Sequence, residues 1–423
     1  MTHFGILCPP AAGHLNPMTT LGYELKRRGH KITLFGVVDA QPKAYAAGLE
    51  FCPIAEAEYP QGAVTESLRY LGELDGMAAF NYTIKQYIQG ATISFRDTPK
   101  AIKAAGVEML LIDQSLLEGG TIAELINIPF ITICSALMLN PEPTVPPIFY
   151  FWKYDPSFLG YLRNQIGYFL LEIAGLQLRK LIQDYRHQWH LPSYTNFQDT
   201  CSPLAILSQQ PGLFEFPRQS LPKNFHFTGP YLNPTARETV NFPFEKLTGQ
   251  PLIYASLGTV QNRLLWVFHA IAEACVGIDV QLVISLGGAA EPETLLGLPG
   301  EPLIVKVAPQ LQLLQKASLT ITHAGLNTTL ESLNNGVPMV AIPIANDQPG
   351  VAARIAWTGT GEVVPLSHLN VPRLRSAIQK VLTDKSYKQS TIKLQAAIQK
   401  AGGVSRAADI VEQVVSTGKP VYR

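Results

Sequence analysis

The stretch Leu319–Pro338 reads LTITHAGLNTTLESLNNGVP. Its first four residues suit a strand. His323-Ala324-Gly325 makes a tight turn, Leu326 to Asn335 is spaced as a helix, Gly336 stands where a helix stops, and Pro338 precedes the next strand. The turn thus joins the carboxyl end of a strand to the amino end of a helix, which is where an open α/β sheet binds ligands. A helix start offers unpaired N–H groups and the positive end of a dipole, and both favour phosphate. Gly325 lets a ligand come close to the backbone, and Thr328 adds a hydroxyl donor. Asn327 and Glu331 lie four residues apart and share a face. A carboxylate just past a phosphate site suits a pair of ribose hydroxyls. Neither G-x-G-x-x-G nor G-x-x-x-x-G-K-[ST] occurs, which argues against dinucleotide and P-loop sites.

Outward from this stretch the same alternation repeats in two halves. Leu252–Ser256, Val280–Ser285, Leu303–Val307 and Met339–Ile342 read as strands, with a helix over Leu264–Cys275. In the other half, His3–Cys8 is a strand, Asn16 caps a helix with Pro17 in its first turn, Gly29 ends it, and Lys31–Phe35 is the next strand. Glu108–Ile112, Gly119–Ile126 and Pro129–Cys134 continue as strand, helix and strand. Such alternation predicts parallel sheets covered by helices. Prolines punctuate Pro211–Gln250, including Pro217, Pro222, Pro230, Pro234 and Pro243. The expected organisation is a first domain over 1–230, a linker over 231–250, a second domain over 251–403 and a final helix over about 404–423 that returns to the first domain.

The chain has 423 residues, with 33 Lys+Arg against 32 Asp+Glu. A net charge of +1 argues against a nucleic-acid binder, which needs a basic surplus. With 47% hydrophobic and 15% charged residues, the chain can fill large cores and is not a disordered protein. The five cysteines are scattered, without C-x-x-C, so neither a disulfide framework nor a zinc site is expected. The first 23 residues lack charge, but Pro9, Pro10, Gly13, Asn16 and Pro17 break them and no basic segment leads them, unlike a signal peptide. A cytoplasmic protein is expected, with membrane association open. Pro141–Leu181 is rich in aromatics, from Phe149 to Phe169, and reads either as packing between layers or as the wall of an apolar pocket or a membrane-facing surface.

Ala308-Pro309-Gln310, the motif His323 to Ser332, Gly336-Val337-Pro338, Pro343 and Asp347-Gln348 together resemble the nucleotide-sugar signature of the UDP-glycosyltransferase family. Gly13-His14-Leu15-Asn16-Pro17 is similar to that family's N-terminal motif. Asp347 to Arg354 resembles the bacterial branch of zeaxanthin glucosyltransferases, beside the macrolide glycosyltransferases. The resemblance spans essentially the whole chain. It implies the GT-B fold, an α/β architecture of two Rossmann-like domains facing each other across a cleft. It further implies that Gln310 and the backbone near Val307 hold uracil, and that His323, Gly325, Asn327 and Thr328 bind the diphosphate with Ser256 and Thr259 opposite. Glu331 would take the ribose hydroxyls, and Asp347 and Gln348 those of the donor sugar. Val307 and Leu326 stand where the plant branch has Trp, which leaves strict UDP selectivity open.

His14 falls at the first strand-to-helix turn, on the cleft side, and its ordinary pKa near neutrality suits a general base. Asp113, at the end of another strand, can orient it; Asp97 and Asp75 are less well placed. The implied reaction is an inverting transfer from a UDP-sugar, with glucose preferred, to a lipophilic hydroxylated acceptor. Carotenoid or other terpenoid acceptors are favoured, with flavonoid and macrolide-like acceptors as alternatives, and Met77, Phe80, Tyr82 and Tyr87 with Phe149–Phe169 are expected around them. No metal or other cofactor is expected, the UDP-sugar being a co-substrate. A sugar-nucleotide epimerase of the same fold, or a lipid or pigment carrier without catalysis, are the alternatives.

Overall fold

A computed structural model of the chain describes all residues except Glu73, Asp75, Pro234, 236–238, 260–263 and Ala289, and leaves out the side chains of Met77, Ala79 and Phe80. The expectations placed on Asp75, Met77, Phe80 and Pro234 therefore lie outside what is described.

The first sheet is built from β1 (His3–Leu7), β2 (Lys31–Gly36), β3 (Glu50–Pro53), β4 (Met109–Asp113), β5 (Phe130–Cys134), β6 (Ile206–Ser208) and β7 (Phe225–Phe227). Between them run α1 (Ala12–Arg27), α2 (Gln41–Ala46), α3 (Ala63–Leu71), α4 (Gly76–Ala105), α5 (Gly119–Ile126) and α6 (Phe158–Gln188). The strand order is β3-β2-β1-β4-β5-β6-β7, all parallel. The second sheet holds β8 (Leu252–Ser256), β9 (Gln281–Ser285), β10 (Leu303–Val305), β11 (Ala317–Thr322), β12 (Met339–Ala341) and β13 (Gly361–Val363). Its helices are α7 (Leu265–Cys275), α8 (Gln310–Leu314), α9 (Leu326–Asn334), α10 (Gln348–Trp357) and α11 (Val371–Thr383). It is also parallel, in the order β10-β9-β8-β11-β12-β13. The central strands are buried on both faces, which is why they read as unbroken apolar runs rather than alternating ones.

In each sheet the strand order reverses at one point, between β1 and β4 in the first and between β8 and β11 in the second. A crevice opens at such a reversal, beyond the carboxyl ends of the strands. His14 and Asp113 follow β1 and end β4, and Ser256 and His323 end β8 and follow β11. The residues singled out in the sequence thus gather at equivalent places in the two sheets.

The last two helices tie the halves together. α12 (Lys385–Ala401) packs on α9, and α13 (Gly403–Thr417) lies along α1. Ala407, Ile410, Val411 and Val414, spaced three to four apart, enter the same core as Met18, Leu21 and Leu25. Arg28 adds bonds of 2.7 Å to both Asp409 and Glu412.

Two local expectations are corrected. α1 begins at Ala12, so Asn16 and Pro17 lie inside it rather than at its start. Pro17 has no N–H for the Gly13 carbonyl one turn back, and that carbonyl is left free to bond elsewhere. The expected linker is also not all connection: β7 closes the first domain just before it, and Tyr231, its first residue, is buried in the first core. Such three-residue strands carry too little periodicity to be read from sequence.

Candidate active site

One continuous cleft of about 2460 Å³ runs between the two sheets and takes in both reversal points. On its first wall, His14 Nδ1 lies 2.9 Å from Asp113 Oδ2. Asp113 is fully buried, and its other oxygen accepts the Ser115 N–H at 2.8 Å. The carboxylate can only accept, so the proton on Nδ1 points at Asp113 and Nε2 keeps a free lone pair. Burial pushes the His14 pKa down, but the charge and hydrogen bond of Asp113, with Asp347 nearby, outweigh it and leave a net rise. Burial raises Asp113 in turn, and His14 and Ser115 pull it back to a net fall. The pair is therefore a strengthened base beside a carboxylate that stays ionised. Asp97 is bound to Arg96 at 2.7 and 2.6 Å and has no part in it.

The second wall is the start of α9. No side chain caps it, and the N–H groups of its first turn have no partner within the helix. Ala324, rather than Gly325, carries the left-handed turn, at φ 64°. Packing supplies a further reason for glycine at 325. A Cβ there would lie 2.5 Å from the His323 ring, and one at Gly258 would lie 2.6 Å from it. The imidazole is wedged between two glycines. Burial pushes its pKa down to about 4, against a smaller upward pull from the Ser256 backbone. His323 is thus neutral near pH 7 and supplies hydrogen bonding, not charge.

Behind this helix start, the Gln310 amide donates to Glu331 Oε2 at 2.6 Å and to Thr328 Oγ1 at 3.3 Å, and accepts from the Tyr254 hydroxyl at 3.0 Å. Gln310 holds Glu331, itself buried, in a fixed orientation. Ser256 Oγ accepts the Gly258 N–H at 3.3 Å, while Thr259 is exposed on the rim. Val307 is exposed on the rim as well, and Leu326 is buried in a core cluster.

Two of the expected donor-side residues, Asn327 and Asp347, reach across to the first wall. Asn327 donates to the Gly13 carbonyl at 2.8 Å, the group that Pro17 leaves free, and accepts from Gln209 Nε2 at 2.7 Å. Asp347 Oδ2 accepts the Leu137 N–H at 3.1 Å; burial pushes its pKa up. Gln348 Oε1 accepts from the Ile344 and Ala345 N–H groups at 2.9 Å, so its carbonyl shapes the loop before α10. Further along α10, Gly350 sits where a Cβ would strike the Ile148 backbone, and Arg354 makes a fully buried ion pair with Glu215 at 2.5 and 3.1 Å. Asp347 to Arg354 is thus the seam between the halves.

Gln209, Gln114 and Glu118 were not anticipated. Gln114, buried behind Asp113, donates to the Leu137 carbonyl and accepts the Leu139 N–H, at 2.8 and 3.0 Å, which sets the loop that meets Asp347. Gln209 and Gln114 each directly follow a strand at its carboxyl end, the one signal that could have marked them. Glu118 is buried on the cleft wall, and burial pushes its pKa up to about 7. The acceptor half is mainly apolar, with Tyr59, Tyr82, Tyr87, Leu178 and Ile182 on its walls and Gln86, Glu172, Arg179 and Gln183 among them. Of the aromatic stretch, Phe149, Tyr150 and Tyr168 line it; Phe158, Tyr161 and Phe169 lie on the outer surface instead.

Residues 69–404 match the family described as UDP-glucoronosyl and UDP-glucosyl transferase. The chain belongs to this family. This glycosyltransferase is 32% identical over 426 residues to the zeaxanthin glucosyltransferase of Pantoea ananas, covering 100% of this chain and 98% of the relative. It is 29% identical, over 100% of both chains, to that of Pseudescherichia vulneris. Among solved structures, the calicheamicin glycosyltransferase CalG4 superposes with a TM-score of 0.74 at 21% identity, over 99% of this chain and 100% of CalG4. The glycosyltransferase therefore has the GT-B fold that the sequence led us to expect.

Proposed function

We propose that this glycosyltransferase moves a sugar, glucose by preference, from a UDP-sugar to the hydroxyl of a lipophilic small molecule, with inversion at the anomeric carbon. One observation carries the reading: an Asp-supported histidine and an uncapped helix start face each other across a cleft whose remaining wall is apolar. A hydroxylated carotenoid or other terpenoid suits that wall best, and the zeaxanthin glucosyltransferases aligned along the whole chain support the choice. Such an acceptor partitions into bilayers, so the reading includes peripheral membrane contact. Among the described residues no helix is long and apolar enough to cross a membrane.

The acceptor oxygen attacks the anomeric carbon as His14 Nε2 takes its proton, and Asp113 stabilises the imidazolium that forms. The bond from that carbon to the diphosphate oxygen breaks, and its electron pair leaves with the diphosphate. The first-turn N–H groups of α9 meet the growing charge, with His323 as a neutral partner. Glu331, held by Gln310, takes the ribose hydroxyls. Attack from the face opposite the leaving group turns an α-linked donor into a β-glycoside. Nothing in this route calls for a metal.

The test is UDP release from UDP-glucose with and without a carotenoid diol, with NMR of the product's anomeric proton. Acceptor-dependent release and a β-glycoside are expected. An α-linked product would overturn the single displacement, and binding of UDP-glucose without turnover of any lipophilic alcohol would overturn the acceptor class.

A further inference from the structure

The first half of α6 is packed inside out. A helix on a soluble protein normally turns its apolar stripe to the core. Here Gly160, Asn164 and Gly167 face inward: Asn164 donates to the Pro143 carbonyl at 3.0 Å, and a Cβ at Gly167 would meet the Trp152 ring at 2.8 Å. Outward, three to four residues apart, stand Phe158, Leu162, Ile166, Phe169, Ile173 and Leu176, all exposed, with Phe158 at 76% and Phe169 at 60%. Leu159 and Leu170 widen the stripe. At ~1.5 Å per residue it runs roughly 27 Å. Between Phe158 and Gln177 the only exposed charged residue is Glu172, whereas the exposed cations Lys153 and Arg179 lie towards its two ends, followed by Lys180, which is paired with Asp184 at 2.6 Å.

We propose that this face of α6 rests on a lipid bilayer, with its apolar stripe in the acyl boundary and its terminal cations among the phosphates. An apolar stripe with basic ends matches a bilayer surface in both chemistry and charge. The same helix is also a wall of the cleft: Tyr168, Leu171 and Leu178 line it from within, and Phe149 lines it while remaining 43% exposed, which puts that ring at the mouth. Docking by α6 sets the acceptor half against the phase that dissolves its acceptor. The choice of a bilayer over a protein partner rests on the lipophilic-acceptor reading above.

The test is co-sedimentation of the full chain with vesicles of phosphatidylcholine, alone or mixed with phosphatidylglycerol, without donor or acceptor. The comparison is the triple variant Leu162→Ser, Phe169→Ser, Ile173→Ser. These side chains are exposed, so its melting temperature and UDP binding should match the parent. The parent is expected to bind vesicles, more strongly when anionic, and the variant more than about tenfold more weakly. Vesicle binding that is absent, or equal in the two proteins, overturns the proposal. So does a dimer in analytical ultracentrifugation that the variant dissolves, since a second copy would then cover the face. Vesicle binding together with no turnover of lipophilic alcohols in the separate UDP-release assay leaves this surface standing and removes the lipophilic-acceptor reading instead.

Discussion

In the donor half of the cleft the polar side chains are bound to one another before any ligand arrives. Gln310 joins Tyr254, Thr328 and Glu331, and Asn327 joins Gly13 and Gln209. In the acceptor half the walls are apolar and come from α3, α4, α6 and the loops between, and Glu118 stands among them as a buried carboxyl. The first half is rigid because it hangs on strand ends and one helix start. The second is a large volume bounded mainly by apolar contacts, with few directional bonds such as that between Ser67 and Tyr82 at 2.9 Å. The donor half can thus select by hydrogen-bond geometry, while the acceptor half can select mainly by shape and apolarity, which discriminates weakly.

His14 stands where the two halves meet, and replacing it should have the largest effect. His14→Ala should lower kcat by about 10²–10⁴-fold, the range for loss of a general base, with UDP affinity unchanged by calorimetry. Asp113→Asn refines this. The acid limb of kcat/KM reports His14 losing its proton, and Asp113 holds that pKa above its ordinary value. Without the carboxylate the limb should move to lower pH while kcat falls. A limb that stays in place would show that another group titrates there.

The seam comes next. Arg354→Met leaves Glu215 buried, with Arg218 at 3.4 Å as its remaining counter-charge and Gln210 donating to it at 2.7 Å. Glu215, which burial raises but the two arginines pull down to about 2, is charged at any working pH. The loss should fall near the lower end of about 3–5 kcal/mol, read as denaturant midpoint. Adding Glu215→Gln should recover much of it. If both variants are equally unstable, packing against Phe216, whose ring lies 4.5 Å from the guanidinium, matters more than charge.

Glu118 sharpens the contrast from the acceptor side. Its pKa in the folded chain, about 7, lies above the ordinary 4.5, so the folded state keeps a proton that the unfolded chain releases. Its contribution is full below pH 4.5, falls as pH rises to about 7 and is gone above. Glu118→Gln should therefore gain on the parent between pH 5 and pH 8, by up to about 3 kcal/mol. A stability gap that does not widen with pH would show that water reaches the carboxyl.

The same contrast explains how far the sequence could be read. The donor half is local: thirteen residues, His323 to Asn335, hold turn, helix start and carboxylate, and the strand before them is fully patterned. The pairing of His14 with Asp113 was legible because one follows β1 at its strand-to-helix turn and the other ends β4, the two strands that flank the reversal point. What escaped was whatever depends on contacts between distant segments. Asn327 reads as a phosphate ligand from its place at the helix start, and that its amide also bridges Gly13 and Gln209, 314 and 118 residues away, could not be read there. The aromatic stretch reads as one wall, yet α6 turns half of it outward, because the helix's inner face was decided by glycines and an asparagine that carry no hydrophobic signal.

Glu331→Ala is the smallest of these effects and bears on the donor half alone. Glu331 is buried and held by Gln310 at 2.6 Å, so the variant removes a charge-assisted acceptor and also frees the amide that held it. UDP binding should weaken by about 1–3 kcal/mol in calorimetry, with melting temperature nearly kept. Gln310→Ala separates the two contributions, since it leaves the carboxylate in place and removes the Gln310 bond alone. If pre-orientation is what distinguishes this half, the Gln310 variant should lose a good part of the same affinity. If it loses none, the carboxylate finds the ribose unaided, and the donor half is less rigid than its hydrogen bonds imply.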